Sequence, residues 1–217
     1  MQLDYSVIFN KIDLFIDGSL VTLQVSILSL IIAIGFGIIG AIFRISRFKV
    51  LNVIGGIYVW IIRGTPLIVQ LFILYFGLPQ FGIQLSPMVA GIVGLSFNTG
   101  AYISEIIRSG INAVDKGQIE AAESLGMTST QVMVRIVSPQ VVKIIIPTMV
   151  NQFIITLKNS SLISLVTITE LFRTGESLIA TTFRSFEVYT TVAIFYLIMT
   201  SLLMVVSNYV EKRMAKS

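Results

Sequence analysis

Two polar side chains lie deep inside long apolar stretches of the sequence, and their chemistry suits the binding of a polar solute. Asn98 follows Ser86 by 12 residues, and Lys158 follows Pro147 by 11 residues. At 1.5 Å per helical residue these separations are about 18 and about 16 Å, near the middle of a hydrocarbon layer about 30 Å thick. A lysine ammonium group attracts a carboxylate, and an asparagine amide both donates and accepts hydrogen bonds. The two residues therefore predict a polar binding site half-way across a membrane.

The neighbours of these residues extend the candidate site along two helices. Asn98, Tyr102 and Glu105 are spaced i, i+4, i+7 and share one helix face. A short polar break in an otherwise apolar run supplies the second group. The candidate substrate-binding residues are Asn98, Thr99, Tyr102, Glu105, Lys158, Asn159, Ser160 and Ser161. Glu105 lies near the predicted inner surface, one turn before Arg108, and is interpreted as a gate or a structural ion pair more than as a direct ligand.

The elements that must position these residues are membrane helices. Of the 217 residues, 55% are hydrophobic and 12% are charged, and the mean hydropathy is +0.91. Soluble domains average about 25% charged residues, so the composition excludes an ordinary soluble domain, and it also excludes a disordered chain. The chain has no cysteine and no histidine, which removes thiolate metal sites and the commonest general base.

Five apolar segments predict an all-α polytopic membrane protein with five transmembrane helices. Each segment exceeds the roughly 18 residues expected of a membrane-spanning helix. They form a single transmembrane domain, residues 1–217, with spans at about 19–43, 56–78, 86–107, 147–171 and 188–210.

The basic residues predict the orientation in the membrane. Connections on one side hold ten Lys or Arg: Arg44, Arg47, Lys49, Arg108, Lys116, Arg135, Lys143, Lys212, Arg213 and Lys216. Connections on the other side hold three: Lys11, Arg173 and Arg184. The richer side is expected to face the cytoplasm, with the N-terminus outside and the C-terminus cytoplasmic. The outer connection at 169–187 has charges of both signs and is predicted to be solvated; they are Glu170, Arg173, Glu176, Arg184 and Glu187.

The longest cytoplasmic connection, about residues 108–146, contains a spaced pattern. It consists of Glu120-Ala121-Ala122, three residues, Gly126, nine residues, Ile136, one residue, and Ser138-Pro139. The pattern resembles the EAA motif of permease subunits of ABC importers, EAA-x3-G-x9-I-x-L-P, with a serine where leucine is usual. Alanines form a helix surface that another protein can approach closely, and Glu120 at a helix start would face the positive dipole end. Gly126 permits a tight turn with positive φ.

Three further stretches narrow the resemblance. Residues 63–67 (RGTPL), 100–108 (GAYISEIIR) and 157–162 (LKNSSL) are similar to the histidine, glutamine and arginine permease family, and the similarity covers nearly the whole chain. The resemblance implies a type I ABC importer permease fold that forms the pathway of a polar amino acid in the cell (inner or plasma) membrane of a bacterium. No cofactor, metal or nucleic acid is implied.

The same resemblance implies several protein partners. A second permease subunit, identical or closely related, is expected to complete the pathway among the membrane lipids. Two ATPase subunits are expected to bind the loops through Glu120, Ala121, Ala122 and Gly126. An extracytoplasmic substrate-binding protein is expected to deliver the amino acid and to contact residues 169–187.

Alternatives remain for the function and for the individual residues. The sequence has no G-x-x-x-x-G-K-[ST] phosphate loop, so ATP hydrolysis is expected in a separate subunit and the chain is not expected to be an enzyme. An ion-coupled secondary amino-acid transporter is the alternative function, although mid-depth carboxylates are missing. A membrane enzyme would need a carboxylate, His or Cys cluster.

The individual residues have alternative roles as well. The loop helix could lie on lipid headgroups, and polar residues in the spans could form hydrogen bonds between helices. The ammonium group of Lys158 could be satisfied by backbone carbonyls or by Glu105.

Arg63 has two interpretations. Pro66 can start a helix, and the Gly64-Thr65 pair before it indicates a break. The second segment is therefore interpreted as a shallow helix, a turn and a shorter span. This interpretation favours Arg63 near the cytoplasmic interface, where its long side chain reaches water. A buried role in the pathway is the alternative.

Overall fold

The structure is a computed structural model that describes residues 3–214, and every regular element in that part of the chain is helical. The α-helices are α1 (Ser6–Phe9), α2 (Ile12–Ile45), α3 (Lys49–Gly64), α4 (Leu67–Phe72), α5 (Pro87–Asn112), α6 (Lys116–Ser124), α7 (Ser129–Val132), α8 (Ser138–Asn159), α9 (Leu171–Thr182) and α10 (Ser185–Met214). Short π- or 3₁₀-helices follow α4, α7 and α8, at Ile73–Gly77, Leu78–Phe81, Met133–Val137 and Ser160–Val166. The predicted all-α class is confirmed. Lys216, counted among the cytoplasmic basic residues, lies outside the described residues.

The number of membrane spans follows only in part from helix length and composition. Within residues 3–214, three helical runs are long and apolar enough to cross a membrane, namely Ile12–Ile45, Ser129–Val166 and Ser185–Tyr209, and the bent pair of α3 and α4 would make a fourth. α5 has 26 residues, a rise of about 39 Å, which is also enough to span. It is less apolar because it carries many polar and small residues, most of which neighbouring helices cover. The predicted count of five is therefore not confirmed.

α2 carries buried serine and threonine residues whose hydroxyl groups donate hydrogen bonds to carbonyls of the same helix. Ser19 donates to the carbonyl of Phe15 over 2.7 Å, and Ser26 donates to the carbonyl of Thr22 over 2.7 Å. A hydroxyl that bonds to the preceding helical turn needs no partner on another helix. Such residues can therefore face other helices in an apolar layer.

The second apolar segment is broken between α3 and α4. The two helical directions differ by 104°. Thr65 and Pro66 have extended backbone, with ψ angles of 145° and 139°. Proline lacks an amide hydrogen and disfavours helical conformation in the residue before it. The side-chain amide of Gln70 donates to the carbonyls of Ile62 (2.8 Å) and Thr65 (3.1 Å), which α3 leaves unpaired at its end. The break that the sequence indicated is therefore present and is held by a side chain of α4.

α5 is the central helix and packs against α2, α3 and α8. Gly100 on α5 allows a close approach to α2, because a Cβ atom there would lie 2.7 Å from Cβ of Phe36. Two apolar clusters flank this packing. One joins α2, α8, α9 and α10 through Phe15, Leu157, Leu171, Leu178 and Val188; the other joins α2, α4, α5 and Ser160–Val166 through Val25, Leu71, Leu95, Ile163 and Val166. The remaining face of α5 is directed toward the end of α3 and toward α8.

Candidate functional site

A cavity of about 680 Å³ lies beside the break between α3 and α4. It is termed the central cavity. Its lining residues are Arg63, Gly64, Thr65, Pro66, Leu67, Asn98, Tyr102, Gln152, Ile155, Asn159 and Leu162. Three of the residues singled out from the sequence, Asn98, Tyr102 and Asn159, are thus brought together by α5 and α8. Their binding role stays a prediction.

Asn98 is connected to the helix break by Gln70. Asn98 has 6% of its surface exposed and donates through Nδ2 to Oε1 of Gln70 over 3.1 Å. The amide nitrogen of Gln70 donates in turn to the carbonyl of Ile62 and to the hydroxyl of Thr65, each over 2.8 Å. Sequence reasoning missed Gln70, because a lone glutamine in a short apolar helix has no spacing relation to Asn98. The contact exists only once α3 and α4 have bent.

Three other predicted residues form hydrogen bonds within the protein. Thr99 is 2% exposed, and its hydroxyl lies 3.0 Å from that of Thr156, so the pair joins α5 to α8. Ser160 and Ser161 each donate to the carbonyl three residues earlier, over 2.7 and 2.8 Å. These contacts agree with the alternative of structural hydrogen bonding. In the part of the chain that the structure describes, residues 3–214, Thr99, Ser160 and Ser161 do not line the central cavity.

Lys158 lies at the end of α8 with an exposed side chain. It does not line the central cavity, and it makes no ion pair or hydrogen bond through its ammonium group with any residue that the structure describes. Pairing with Glu105, one alternative from the sequence, is wrong, since Glu105 binds two arginines. The apolar helical run Ser129–Val166 continues past Lys158, and an exposed cation within such a run requires water or a partner outside the chain.

A second cavity, of about 420 Å³, lies toward the C-terminal end of α5 and is termed the inner cavity. It is lined by Arg63, Tyr102, Glu105, Ile106, Ser109, Gly110, Ile144, Ile145, Thr148 and Gln152. Arg63, Tyr102 and Gln152 line both cavities. Arg63 is nevertheless exposed, so the alternative of a buried role is not confirmed, and its role stays a prediction.

Glu105 is held at the edge of the inner cavity by two ion pairs. Arg108, one turn later on α5, approaches to 2.7 Å, and Arg44 at the end of α2 approaches to 3.2 Å. The ion pair between Glu105 and Arg108 agrees with the interpretation of Glu105 as part of a structural ion pair. Arg44 was missed, because nothing in the spacing relates α2 to α5. Two guanidinium groups on one carboxylate leave a net positive charge beside the inner cavity.

The patterned loop begins with α6, which is capped by an acidic side chain. Asp115 occupies the N-cap and accepts a hydrogen bond from the amide of Gly117. Glu120 lies beyond the first turn of the helix. The prediction that Glu120 faces the positive dipole end is therefore wrong, because that effect is confined to the first turn.

The loop presents some of its motif residues and buries another. Gly126 has a φ of +81°, as the predicted turn requires. Ala122 is 5% exposed and packs in a cluster with the valines of α7 and α8, whereas Glu120 and Ala121 are exposed. Leu125 is 84% exposed. The expectation that both alanines form an accessible surface is thus wrong for Ala122, and Leu125 is an exposed apolar residue that sequence reasoning did not single out.

Segment 169–187 is solvated only in part. Glu170 has no exposed surface, and Glu187 is 5% exposed. Glu170 accepts hydrogen bonds from the hydroxyls of Tyr196 (2.9 Å) and Thr22 (3.1 Å) and from the amide of Arg173 (2.9 Å). The prediction of a solvated segment is wrong for the two glutamates, because α1, α2 and α10 cover them once the helices assemble.

Comparison with known proteins assigns this arrangement to a family. Residues 20–216 match the model of a family described as binding-protein-dependent transport system inner membrane component. The chain therefore belongs to this family of ABC importer permeases, in which the ATPase is a separate subunit.

Relatives match the chain over almost its full length. The probable glutamine ABC transporter permease protein GlnM of Bacillus subtilis (strain 168) is 41% identical over 215 residues, covering 99% of this chain and 100% of the relative. The arginine transport system permease protein ArtQ of the same organism is 36% identical over 215 residues, 99% of this chain and 98% of the relative. A solved structure described as an amino acid ABC transporter with histidines is 38% identical, with a TM-score of 0.94 over 98% of this chain and 100% of that one.

These findings confirm the class of protein that the EAA pattern indicated. The chain is a permease subunit of an ABC importer, an inner membrane component and not itself an enzyme. Members of the family work with ATPase subunits and a binding protein. The similarities do not support the ion-coupled alternative.

Proposed function

We propose that the chain forms the pathway of a polar amino acid and that the central cavity holds the amino acid during passage. The observation that carries the proposal is the set of amide and phenol groups that converge in this cavity from Asn98, Tyr102, Gln152 and Asn159. These groups both donate and accept hydrogen bonds, as the carboxylate and ammonium of an amino acid require. The volume is within the range of small-molecule sites. Full-length similarity to permeases named for glutamine and arginine supports the substrate class.

A second permease subunit, identical or closely related, completes the pathway. The exposed Lys158 supports this proposal, since its ammonium group lies on an apolar helix without a partner among the described residues. Facing a water-filled pathway between two subunits, the ammonium is hydrated and attracts the substrate carboxylate. Glu105 then acts at the inner end, while Thr99, Ser160 and Ser161 support the helices.

The part of the loop formed by α6 and the turn at Gly126 docks on the ATPase. Exposed Glu120, Ala121 and Leu125 supply the contact, and Gly126 shapes the turn beside it. Leu125→Asp should abolish co-purification with the ATPase, because an exposed apolar residue of 84% accessibility is the natural anchor of an interface. Thr130→Asp, at an exposed position of α7, is the matched control. Equal co-purification of the two variants would contradict this docking surface.

The loop lies in the cytoplasm and the N-terminus outside, as the ten-to-three distribution of basic residues supports. The opposite face, which includes α9, contacts the substrate-binding protein. On α9, Arg173 has an exposed side chain and Glu176 a partly exposed one, and both are available to such a partner. A crosslinker placed at Arg173→Cys should capture the binding protein during turnover, and capture from the loop position Thr130→Cys instead would reverse the orientation.

Reconstitution in vesicles tests the function directly. The chain, its ATPase and its binding protein are expected to take up labelled glutamine, arginine or histidine only with ATP on the ATPase side, and ionophores that collapse proton and sodium gradients should leave uptake unchanged. Asn98→Ala should lower uptake about tenfold while the complex still assembles. Uptake that follows an ion gradient without ATP would refute the importer, and normal uptake by Asn98→Ala would refute the role of the central cavity.

A further inference from the structure

The central and inner cavities meet at side chains from three helices. Arg63 comes from the end of α3, Tyr102 from α5 and Gln152 from α8. The guanidinium carbon of Arg63 lies 5.1 Å from the centroid of the Tyr102 ring. This distance is within the range of a cation–π interaction. These three residues therefore form the border that the two cavities share.

The backbone on both sides of Arg63 is held by one side chain. Gln70 donates to the carbonyl of Ile62, the residue before Arg63, and to the carbonyl and hydroxyl of Thr65, two residues after it. The other end of the same amide accepts from Asn98 in the central cavity. The position of Arg63 is therefore connected, through one glutamine, to a side chain that a solute in the central cavity would contact.

The junction between α3 and α4 is not a continuous helix. Pro66 has no amide hydrogen, so no continuous helical hydrogen-bond ladder joins α3 to α4. The end of α3 depends on Gln70 for its carbonyl partners, and Gln70 depends on Asn98 for the partner of its own oxygen. One hydrogen-bonded path thus joins Asn98 to the backbone on both sides of Arg63.

We propose that Arg63 and Tyr102 form a gate between the central and inner cavities, and that Gln70 is the positioning residue that couples this gate to Asn98. The proposal rests on the proposed function of the central cavity. When an amino acid takes the hydrogen bonds of Asn98, Gln70 loses that partner, the end of α3 shifts at the break, and Arg63 leaves the Tyr102 ring. The solute then passes toward Glu105 and the inner cavity.

The experiment uses the natural absence of cysteine from the sequence. Single cysteines are introduced at Ile155, which lines only the central cavity of the two, or at Ser109, which lines only the inner one. The assembled importer is exposed, from the loop side, to a membrane-impermeant thiol reagent. Ser109→Cys is expected to react fast and Ile155→Cys slowly, because the gate separates them.

Opening the gate should change only one of the two rates. Tyr102→Leu or Arg63→Gln should raise the reaction rate of Ile155→Cys at least tenfold and leave that of Ser109→Cys unchanged. Gln70→Leu should raise the reaction rate of Ile155→Cys to a similar extent. Arg63→Lys, which keeps a cation over the Tyr102 ring, should raise that rate less. Arg47→Gln, at an exposed arginine that lines neither cavity, is the matched control and should change neither rate.

The outcomes separate this proposal from the function on which it rests. Equal rates for Ile155→Cys in the parent and in the Tyr102 and Arg63 variants would overturn the gate. A rise with Tyr102→Leu but none with Gln70→Leu would overturn the coupling through Gln70. An unchanged Ser109→Cys rate together with ATPase co-purification shows that each variant is folded. Lack of ATP-driven amino acid uptake by the parent would refute the proposed function, whatever the labelling rates are.

Discussion

Glu105 and Glu170 are two glutamates of one helical membrane protein that are held in opposite ways. Glu105 lines the inner cavity and binds two guanidinium groups, at 2.7 and 3.2 Å. Glu170 has no exposed surface, and its partners among the described residues are hydroxyls and backbone amides, all of them neutral donors. One carboxylate is balanced by charge beside a cavity, and the other is enclosed by hydrogen bonds.

The difference teaches how the two residues contribute to the protein. Ion pairs near water add little to stability, because solvent screens them and both side chains remain solvated when separated. A buried carboxylate that accepts several hydrogen bonds is different, since its removal leaves donors without acceptors in an apolar layer. Glu170 is therefore expected to hold α2, α9 and α10 together, whereas Glu105 is expected to act in the pathway.

Thr22 shows how closely the Glu170 site joins two helices. Its hydroxyl lies 3.0 Å from the carbonyl of Gly18 and 3.1 Å from Glu170, and it also accepts from the amide of Leu171 over 3.2 Å. A single hydroxyl thus connects α2 to the first residue of α9. A Cβ atom on Gly18 would lie 2.9 Å from Cα of Leu171, so the two backbones are in close contact.

The largest effect is expected from Glu170→Ala. It should lower the free energy of unfolding by roughly 3 kcal/mol, because the donors on Thr22 and Tyr196 and the amide of Arg173 lose their acceptor. Denaturant titration of the detergent-solubilised chain measures this loss. Glu176→Ala, at a partly exposed glutamate of the same segment, is the control. A loss no larger than that of the control would abolish the contrast between the two glutamates.

A smaller effect is expected from Tyr196→Phe, which removes one donor to Glu170 and keeps the ring. The free energy of unfolding should fall by about 1 kcal/mol, the net contribution of one hydrogen bond. Transport by the assembled importer should be unchanged under conditions where the variant is folded. A large loss of transport without loss of stability would instead place Glu170 in the pathway.

Glu105→Gln should show the reverse pattern. Its effect on unfolding should stay below about 1 kcal/mol, because both ion pairs are partly exposed. ATP-driven uptake should fall several-fold, since the two arginines then leave an unbalanced positive charge beside the inner cavity. Vesicle uptake and denaturant titration of the same preparation test both expectations. Normal uptake with a strongly reduced stability would assign Glu105 a structural role only.

The smallest effect is expected from Arg173→Gln, which breaks the exposed pair between Arg173 and Glu176 at 3.2 Å. The change in free energy of unfolding should be within about 0.5 kcal/mol and should vanish at high salt. Parallel titrations at low and high salt measure it. A change as large as that of Tyr196→Phe would show that solvent exposure does not separate the two kinds of site.

Local features of the fold were predictable because they depend on nearby residues. The break at Pro66 follows from the chemistry of proline and of the residue before it, and the positive φ of Gly126 follows from glycine in a turn. Helix periodicity placed Asn98 and Tyr102 on one face, and both line the central cavity. These features need no knowledge of how the helices pack.

Contacts between distant helices were not predictable in the same way. Gln70 reaches Asn98 only because α3 and α4 bend, and Arg44 reaches Glu105 only because α2 packs against α5. The contact of the Thr99 hydroxyl with that of Thr156 likewise depends on the packing of α5 against α8. A single sequence gives no basis for ranking one contact between distant helices above another.

The sequence by itself determined that this protein is a helical membrane permease, since apolar length, the distribution of charge and the spacing of the EAA pattern are all properties of the chain read in order. Only the tertiary structure decided which polar residues face a cavity and which are enclosed. Glu170 stands in a segment of mixed charge that is typical of a solvated surface, yet it has no exposed surface. Burial is a property of what surrounds a side chain, and those surroundings come from α2 and α10, far away in the sequence.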